Sequence, residues 1–161
     1  MRKALFPGTF DPPTLGHVDI IKRSASVCDK LIIGIAVNPE KKGDTFFSVE
    51  EKKELLRTAT HSMPHVEIVS FTGLVVDFAK QNQINFLIRG LRAFSDFEYE
   101  FRMALANRMI SQIETIFLMA DEKHGHISST LIREFAHHKT RLHAFVPAEI
   151  EEKVYARLSK I

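Results

Sequence analysis

Short apolar runs bounded by turn residues alternate along this chain with longer amphipathic ones, and that alternation restricts its fold more than any other feature. Residues 4–6, 31–37, 66–71, 85–88 and 115–119 read as five strands, with Pro7-Gly8, Asn38-Pro39 and Arg89-Gly90 following the first, second and fourth. Between them, residues 18–27 have helical spacing, with Val18, Ile21, Ala25 and Val27 apolar. Ser48 starts a helix to about residue 59, and Glu51, three positions on, completes a capping box. Residues 74–81 and 96–109 are predicted helices, and 128–137 and 148–159 close the chain. Strands alternating with helices imply a parallel sheet covered on both faces. Right-handed crossovers reduce the topologies to a doubly wound α/β sheet of five strands. At 161 residues, one such domain with one core accounts for the whole chain.

Charge and cysteine content narrow the function classes. Lys and Arg number 22 against 20 Asp and Glu, a net charge of +2. Nucleic-acid binding needs a concentrated basic face, so no nucleic-acid partner is expected and any phosphate site must be local. Cys28, the single cysteine, has no disulfide partner within the chain and reads as a small buried apolar residue. Only Ala4, Leu5 and Phe6 separate the basic Arg2-Lys3 from Pro7-Gly8, too few for a signal peptide of about 7–15 apolar residues. No run approaches the ~20 residues of a membrane span. A soluble cytoplasmic protein is expected.

In a doubly wound sheet, ligands bind beyond the carboxyl ends of the strands, at the point where strand order reverses. That rule singles out residues 7–17, 38–47, 89–94 and 120–129. The first segment, PGTFDPPTLGHVD, follows strand one and opens helix one. Thr9, Thr14 and the backbone N–H groups there are phosphate donors, Gly16 permits close approach, and His17 falls in the first helical turn, where the dipole favours an anion. In IRGLRAFSDFEYE, Arg89 and Arg92 flank Gly90 with few local acids before Asp96, a two-guanidinium phosphate clamp. In HISSTLIRE, Ser128, Ser129 and Thr130 start a helix and make a second N-terminal anion site if they lie opposite the first loop. Lys41 and Lys42 sit beyond strand two. His124 and His126 have H-x-H spacing but no evident acidic or thiol partner, so no metal site is expected there.

Three strings, PGTFDPPTLGH, LIRGLRAFSDFEYE and ISSTLIRE, together resemble the bacterial phosphopantetheine adenylyltransferase family over nearly the whole chain. Thr14-Leu15-Gly16-His17 is similar to the T/H-x-G-H signature of its nucleotidyltransferase superfamily, and Ile127–Thr130 to the second signature. The resemblance implies a Rossmann-like nucleotidyltransferase fold and transfer of AMP from ATP to 4'-phosphopantetheine, giving dephospho-coenzyme A and pyrophosphate. It implies that Thr9, Phe10 and His17 meet the ATP phosphates, Thr9 also facing the acceptor phosphate. Lys41 and Arg89 hold that phosphate, and Val75 lies along the pantetheine arm. Gly90, Leu91, Arg92 and Glu100 take the adenosine side, and His124, Gly125, His126, Ile127, Ser128, Ser129 and Thr130 form the final nucleotide loop. His17, Lys41 and Arg92 are the catalytic set, with Mg2+ as cofactor. It further implies a homohexamer and coenzyme A as feedback inhibitor. The chain departs from the family pattern at His124, commonly Trp, at His126, commonly aromatic, and at Thr130, commonly Ser; the stretch after Lys42 is slightly longer.

The implied chemistry fits the residues. A phosphate monoester has its second pKa near ~6, so the acceptor arrives as a dianion and needs no base. Its approach to a polyanion is a problem of position and charge, for which cations and helix N-termini suffice. His17 is therefore expected to donate to the transition state rather than to accept a proton. Two alternatives remain at this stage: a sibling transferase with another phosphorylated acceptor, and a nucleotide-binding regulatory domain without turnover.

Overall fold

The computed structural model describes residues 1–38, 45–92 and 94–160. Five strands, β1 (Lys3–Gly8), β2 (Lys30–Val37), β3 (Val66–Thr72), β4 (Phe86–Leu91) and β5 (Glu114–Met119), form one all-parallel sheet in the order β3-β2-β1-β4-β5. The helices are α1 (Leu15–Ser24), α2 (Val49–Ala59), α3 (Val75–Gln81), α4 (Phe94–Ser111), α5 (Ser129–His137) and α6 (Ala148–Leu158). A 3-10 turn over Glu122–His124, not anticipated from the sequence, lies between β5 and α5. The doubly wound five-stranded sheet expected from the apolar pattern is the one observed. No helix among the described residues is long and apolar enough to cross a membrane.

Side-chain alternation along the central strands divides the core. Ala4 and Phe6 of β1, with Leu31, Ile33 and Ile35 of β2, pack under α1 with Ile21 and Leu56. Leu5 and Ile32 point to the other face and meet Ala79 of α3, Ile84 and Leu87. A third cluster joins α5 and α6 to Phe47 and Leu55, so the C-terminal helices are seated on the start and middle of α2. Period-two alternation inside a buried strand puts each of β1 and β2 in contact with both helical layers.

Several element boundaries differ from expectation, and three of them shape the cleft. Helix α1 begins at Leu15 rather than Val18, because Thr14 caps it: the Thr14 hydroxyl accepts from His17 N, while His17 Nδ1 accepts from Thr14 N. The apolar spacing alone favoured the later start; the chain past Ser24 turns instead, with Val27 N donating to Ser24 O. Strand β1 continues through Pro7 and Gly8, which pair with Gly34 and Ile35 of β2. Strand β4 runs on to Leu91, since Arg89, Gly90 and Leu91 pair with Phe117, Leu118 and Met119 of β5. Arg89 and Gly90 are thus strand residues, not loop residues.

Strand order reverses between β1 and β4, where pairing is limited to Ala4↔Phe86 and Leu5↔Leu87. Beyond those two pairs the strands part. Pairing of β1 with β2, by contrast, extends to its last residue, Gly8. The crevice that opens at the carboxyl ends of β1 and β4 is where a ligand is expected in this topology.

Candidate active site at the switch point of the sheet

The crevice is a cleft of about 690 Å³. Its floor is the end of β1 and the following loop, one wall is α1 with Arg89 and Arg92, and the opposite rim is the start of α5. Thr9, Phe10, His17, Val75, Arg89, Gly90, Arg92 and Glu100 all line it, as do residues 127–130. Leu91 does not: it is buried behind the wall. Nor do His124, Gly125 and His126. His124 closes the 3-10 turn, and the His126 ring is turned edge-on to Phe145 at 6.4 Å. The expected nucleotide loop of seven residues therefore reaches the cleft with its last four only. Lys41 lies outside the described residues.

The first loop is built to hold His17 rather than to present hydroxyls. Thr14 is buried at the edge of the cleft, and its hydroxyl accepts from His17 N in the α1 cap. Thr9 is exposed to the cleft. Phe10 is buried with φ 47°, a left-handed conformation that bulky residues rarely enter, and its ring meets the edge of His17 at 5.0 Å. A Cβ on Gly8 would stand 2.9 Å from the tip of that same ring, so the close approach of Phe10 needs glycine there. Asp11, next in the chain, holds this conformation from several sides. Its carboxylate accepts from Phe46 N and Phe47 N, both at 3.0 Å, and lies 3.4 Å from the buried Lys52 ammonium. Its carbonyl accepts from Arg133 Nη1 at 2.7 Å. Ser129 Oγ donates to Pro12 O at 2.8 Å, tying the start of α5 to the same loop. Two helix N-termini, α1 and α5, thereby face one cleft, the arrangement the sequence required for a double anion site.

His17 is held in a defined protonation state. Its Nδ1 accepts from the Thr14 backbone N–H at 3.0 Å, a group that only donates, so Nδ1 carries the lone pair and a neutral ring has its proton on Nε2. Burial, then the charges of Arg92 and Arg89, lower its pKa from 6.5 to about 4. A neutral Nε2–H donor in the first turn of α1 results.

The two arginines are not free, as the scarcity of acids in their loop had suggested. Arg89 donates from Nε (2.7 Å) and Nη2 to the Glu100 carboxylate, and from Nη1 to Pro7 O at 2.6 Å. Arg92 donates to both carboxylate oxygens of Asp96 and from Nη1 to Ile127 O at 3.1 Å. Helix α4 places Asp96 and Glu100 one turn apart on one face, from which Asp96 meets Arg92 and Glu100, expected on the adenosine side, meets Arg89. Ser128 caps α5, and Thr130 Oγ1 accepts from Arg133 Nη2.

The sequence reading missed the Asp11–Lys52 pair as well, although a signal existed. Lys52 occupies the helical stripe of Val49, Leu55, Leu56 and Ala59, an apolar face on which a lysine needs a buried partner. Among the described residues no three His, Cys, Asp or Glu side chains converge as metal ligands.

Residues 5–135 match the cytidylyltransferase-like family model. Curated relatives carry the name phosphopantetheine adenylyltransferase. The protein of Caldanaerobacter subterraneus subsp. tengcongensis is 46% identical over 99% of both chains. That of Clostridium tetani is 48% identical over 96% of both, and that of Moorella thermoacetica 46% identical over 98% of both. Fold and site define a nucleotidyltransferase of the cytidylyltransferase-like class. Within that class, the chain belongs to the phosphopantetheine adenylyltransferase family.

Proposed function

We propose that the cleft binds ATP and 4'-phosphopantetheine together and joins them, giving dephospho-coenzyme A and pyrophosphate. The observation that carries this reading is the neutral His17 standing between two helix N-termini and two arginines in one cleft. An acceptor phosphate oxygen forms a bond to the α-phosphorus of ATP, and the bond from that phosphorus to the bridging oxygen breaks, releasing pyrophosphate. His17 Nε2–H donates to an α-phosphoryl oxygen as charge grows there, a stabilisation available without proton transfer. Arg89 and Lys41 hold the acceptor phosphate, with Thr9 beside it and Val75 along the pantetheine arm. Arg92, Gly90 and residues 127–130 take the nucleotide.

Mg2+ is assigned to the substrate. Both carboxylates of the cleft, Asp96 and Glu100, are engaged by arginines, so the ion is expected on the triphosphate oxygens, its usual place in phosphoryl-transfer sites. Coenzyme A shares the pantetheine arm of the acceptor and the adenylyl group of the product, and is assigned to the same cleft as an inhibitor competing with the acceptor. The chain is assigned to the cytoplasm, a reading supported by its lone buried Cys28, which forms no disulfide within the chain. Self-association into a hexamer draws support from the apolar surface of α4, where Tyr99, Met109 and Ile110 are more than half exposed.

The test is pyrophosphate release by the purified protein with MgATP and 4'-phosphopantetheine, the product identified by mass. ATP binding without turnover would favour a regulatory domain. Turnover with another phosphorylated acceptor in preference to this one would favour a sibling transferase. Arg89→Ala is expected to raise the acceptor KM about 10- to 100-fold, the worth of a hydrogen bond to a charged group, with a smaller effect on the KM for ATP.

A further inference from the structure

We propose that Asp19 is a positioning residue for the nucleotide: from the face of α1 beside the cleft it fixes the backbone of residues 119–124, and through them the place where residues 127–130 enter the cleft. This inference rests on the reading, given above, that residues 127–130 take the nucleotide.

Helix α1 carries Gly16, Asp19 and Arg23 on one face, at spacings of three and four residues. The chain leaving β5 runs along that face in the opposite direction. Arg23 Nη2 donates to Met119 O, Asp121 N donates to Asp19 Oδ2 at 3.3 Å, and a Cβ on Gly16 would stand 3.7 Å from His124 O. Asp19 serves two of these contacts. Its Oδ1 accepts from Arg23 Nε at 3.2 Å and its Oδ2 from Arg23 Nη2 at 2.7 Å, so the same carboxylate aims the fork that reaches Met119. On its other side the segment is tied to β4, with Ala120 N donating to Leu91 O at 2.7 Å.

From Asp121 the bonds run forward to the cleft. Asp121 caps the 3-10 turn, its Oδ1 accepting from Lys123 N at 2.9 Å and its carbonyl from His124 N at 2.8 Å. The His124 carbonyl accepts from Ile127 N at 3.0 Å, and the Ile127 carbonyl from Arg92 Nη1 at 3.1 Å. Ile127 and Arg92 both line the cleft, and Ser128 then caps α5. A 3-10 turn of three residues holds its own place poorly, because its hydrogen-bond geometry is worse than that of an α-helix. Asp19 supplies a hold from outside. An ion pair four residues apart on one helix, with Arg23 42% exposed, adds little to stability. Its contribution is to the position of backbone beyond the end of β5: it reduces the ordering that the nucleotide would otherwise have to impose on binding. Thr9, Val75 and Arg89, on the proposed acceptor side, take part in none of these bonds.

Two substitutions separate the parts. Asp19→Ala removes every bond of the carboxylate, and Asp19→Asn keeps an oxygen for Asp121 N while giving up the charge. Titration calorimetry of MgATP into wild type and both variants, without acceptor, reads the nucleotide Kd, and steady-state kinetics read the KM of each substrate. Asp19→Ala is expected to raise Kd and KM for ATP roughly 3- to 10-fold, the worth of one hydrogen bond, with the acceptor KM within about twofold. Asp19→Asn should restore ATP affinity to within about twofold of wild type. Unchanged ATP affinity in Asp19→Ala, an equal rise in both KM values, or an asparagine variant as weak as the alanine one would each overturn the assignment. An unfolded fraction lowers the number of binding sites and kcat and leaves Kd and KM in place, so loss of stability cannot imitate the expected pattern. A wild type that makes no product would count against the proposed reaction instead; the MgATP titration still reads the role of Asp19, so the two failures are distinguishable.

Discussion

At the scale of single residues, His17 performs two tasks that can be separated by substitution. Its Nδ1 completes the α1 capping box, and the proposed reaction gives its Nε2–H a phosphoryl oxygen to donate to. Gln is the side chain that takes the same third position in capping boxes elsewhere. His17→Gln is accordingly expected to fold with near-wild-type stability at pH 7, and His17→Ala, which leaves no donor, to lower kcat about 100- to 1,000-fold, the usual loss of one transition-state donor. Near-normal kcat in His17→Ala would remove His17 from the mechanism. The glutamine substitution reads the pH dependence of folding. Unfolded, His17 takes a proton as pH falls through 6.5; folded, it resists until about 4. The unfolded state thus binds more protons in this window, and stability present above pH 6.5 is lost as pH falls toward 4, at up to ~1.4 kcal/mol per pH unit. Urea unfolding at pH 7 and pH 5 should show a larger loss for wild type than for His17→Gln. Equal losses would mean that the imidazole is not held neutral.

At the scale of elements, α1 shows what could and could not be read from the chain. Its existence and its proximity to the cleft followed from Val18, Ile21 and the loop before them. Its first turn was legible only through His17, placed there from the loop; the apolar spacing begins at Val18 and carries no information on the reciprocal hydrogen bonds of Thr14 and His17. At Ser48 the matching residues, Ser and Glu, are the familiar capping pair, and there the start was legible. Strand β4 failed in the opposite sense: Arg89-Gly90 looks like a turn until β5 lies beside it and supplies the ladder. Asp96 and Glu100 were visible as residues but not as partners of Arg92 and Arg89, since helix and strand meet only in three dimensions. Gly16 gives this scale its prediction. A Cβ there would meet Thr14 Oγ1 at 3.5 Å and His124 O at 3.7 Å, ordinary contacts, so the free protein has room for alanine. Helix propensity then favours Gly16→Ala by up to about 1 kcal/mol. Thermal melting without ligand should show no loss of stability. Turnover should fall, because the methyl group occupies the cleft wall that the nucleotide approaches. Destabilisation of the free protein would show instead that glycine serves packing there.

At the scale of the whole molecule, α4 is the element that one chain leaves unfinished. Its apolar side chains are spread around the helix, with Tyr99 64%, Met109 86% and Ile110 60% exposed. A helix that covers one apolar stripe against its own sheet ordinarily keeps its outer face polar, and α4 instead mixes apolar residues into that face. Here α3, β4 and β5 cover one side only, and the remainder is an apolar surface of the sort that marks an interface. The proposed self-association offers this face a covering of its own kind. Ile110→Lys isolates the effect. The residue is in the last turn of α4, where the helix dipole favours a cation, and its exposure means that the core loses nothing. A lysine buried between subunits without a partner is, by contrast, strongly unfavourable. Light scattering on the eluting protein should therefore show a smaller species for Ile110→Lys, with a circular dichroism spectrum matching wild type. The consequence for activity follows from what α4 also carries. Glu100 sits on the same helix and is bonded to Arg89 in the cleft, so a helix loosened by loss of its neighbours should raise the KM of at least one substrate, the acceptor among them if the proposed role of Arg89 holds. A variant that kept the wild-type mass would show that this end of α4 is not the contact, and one that dissociated with both KM values unchanged would show that assembly and acceptor binding are independent.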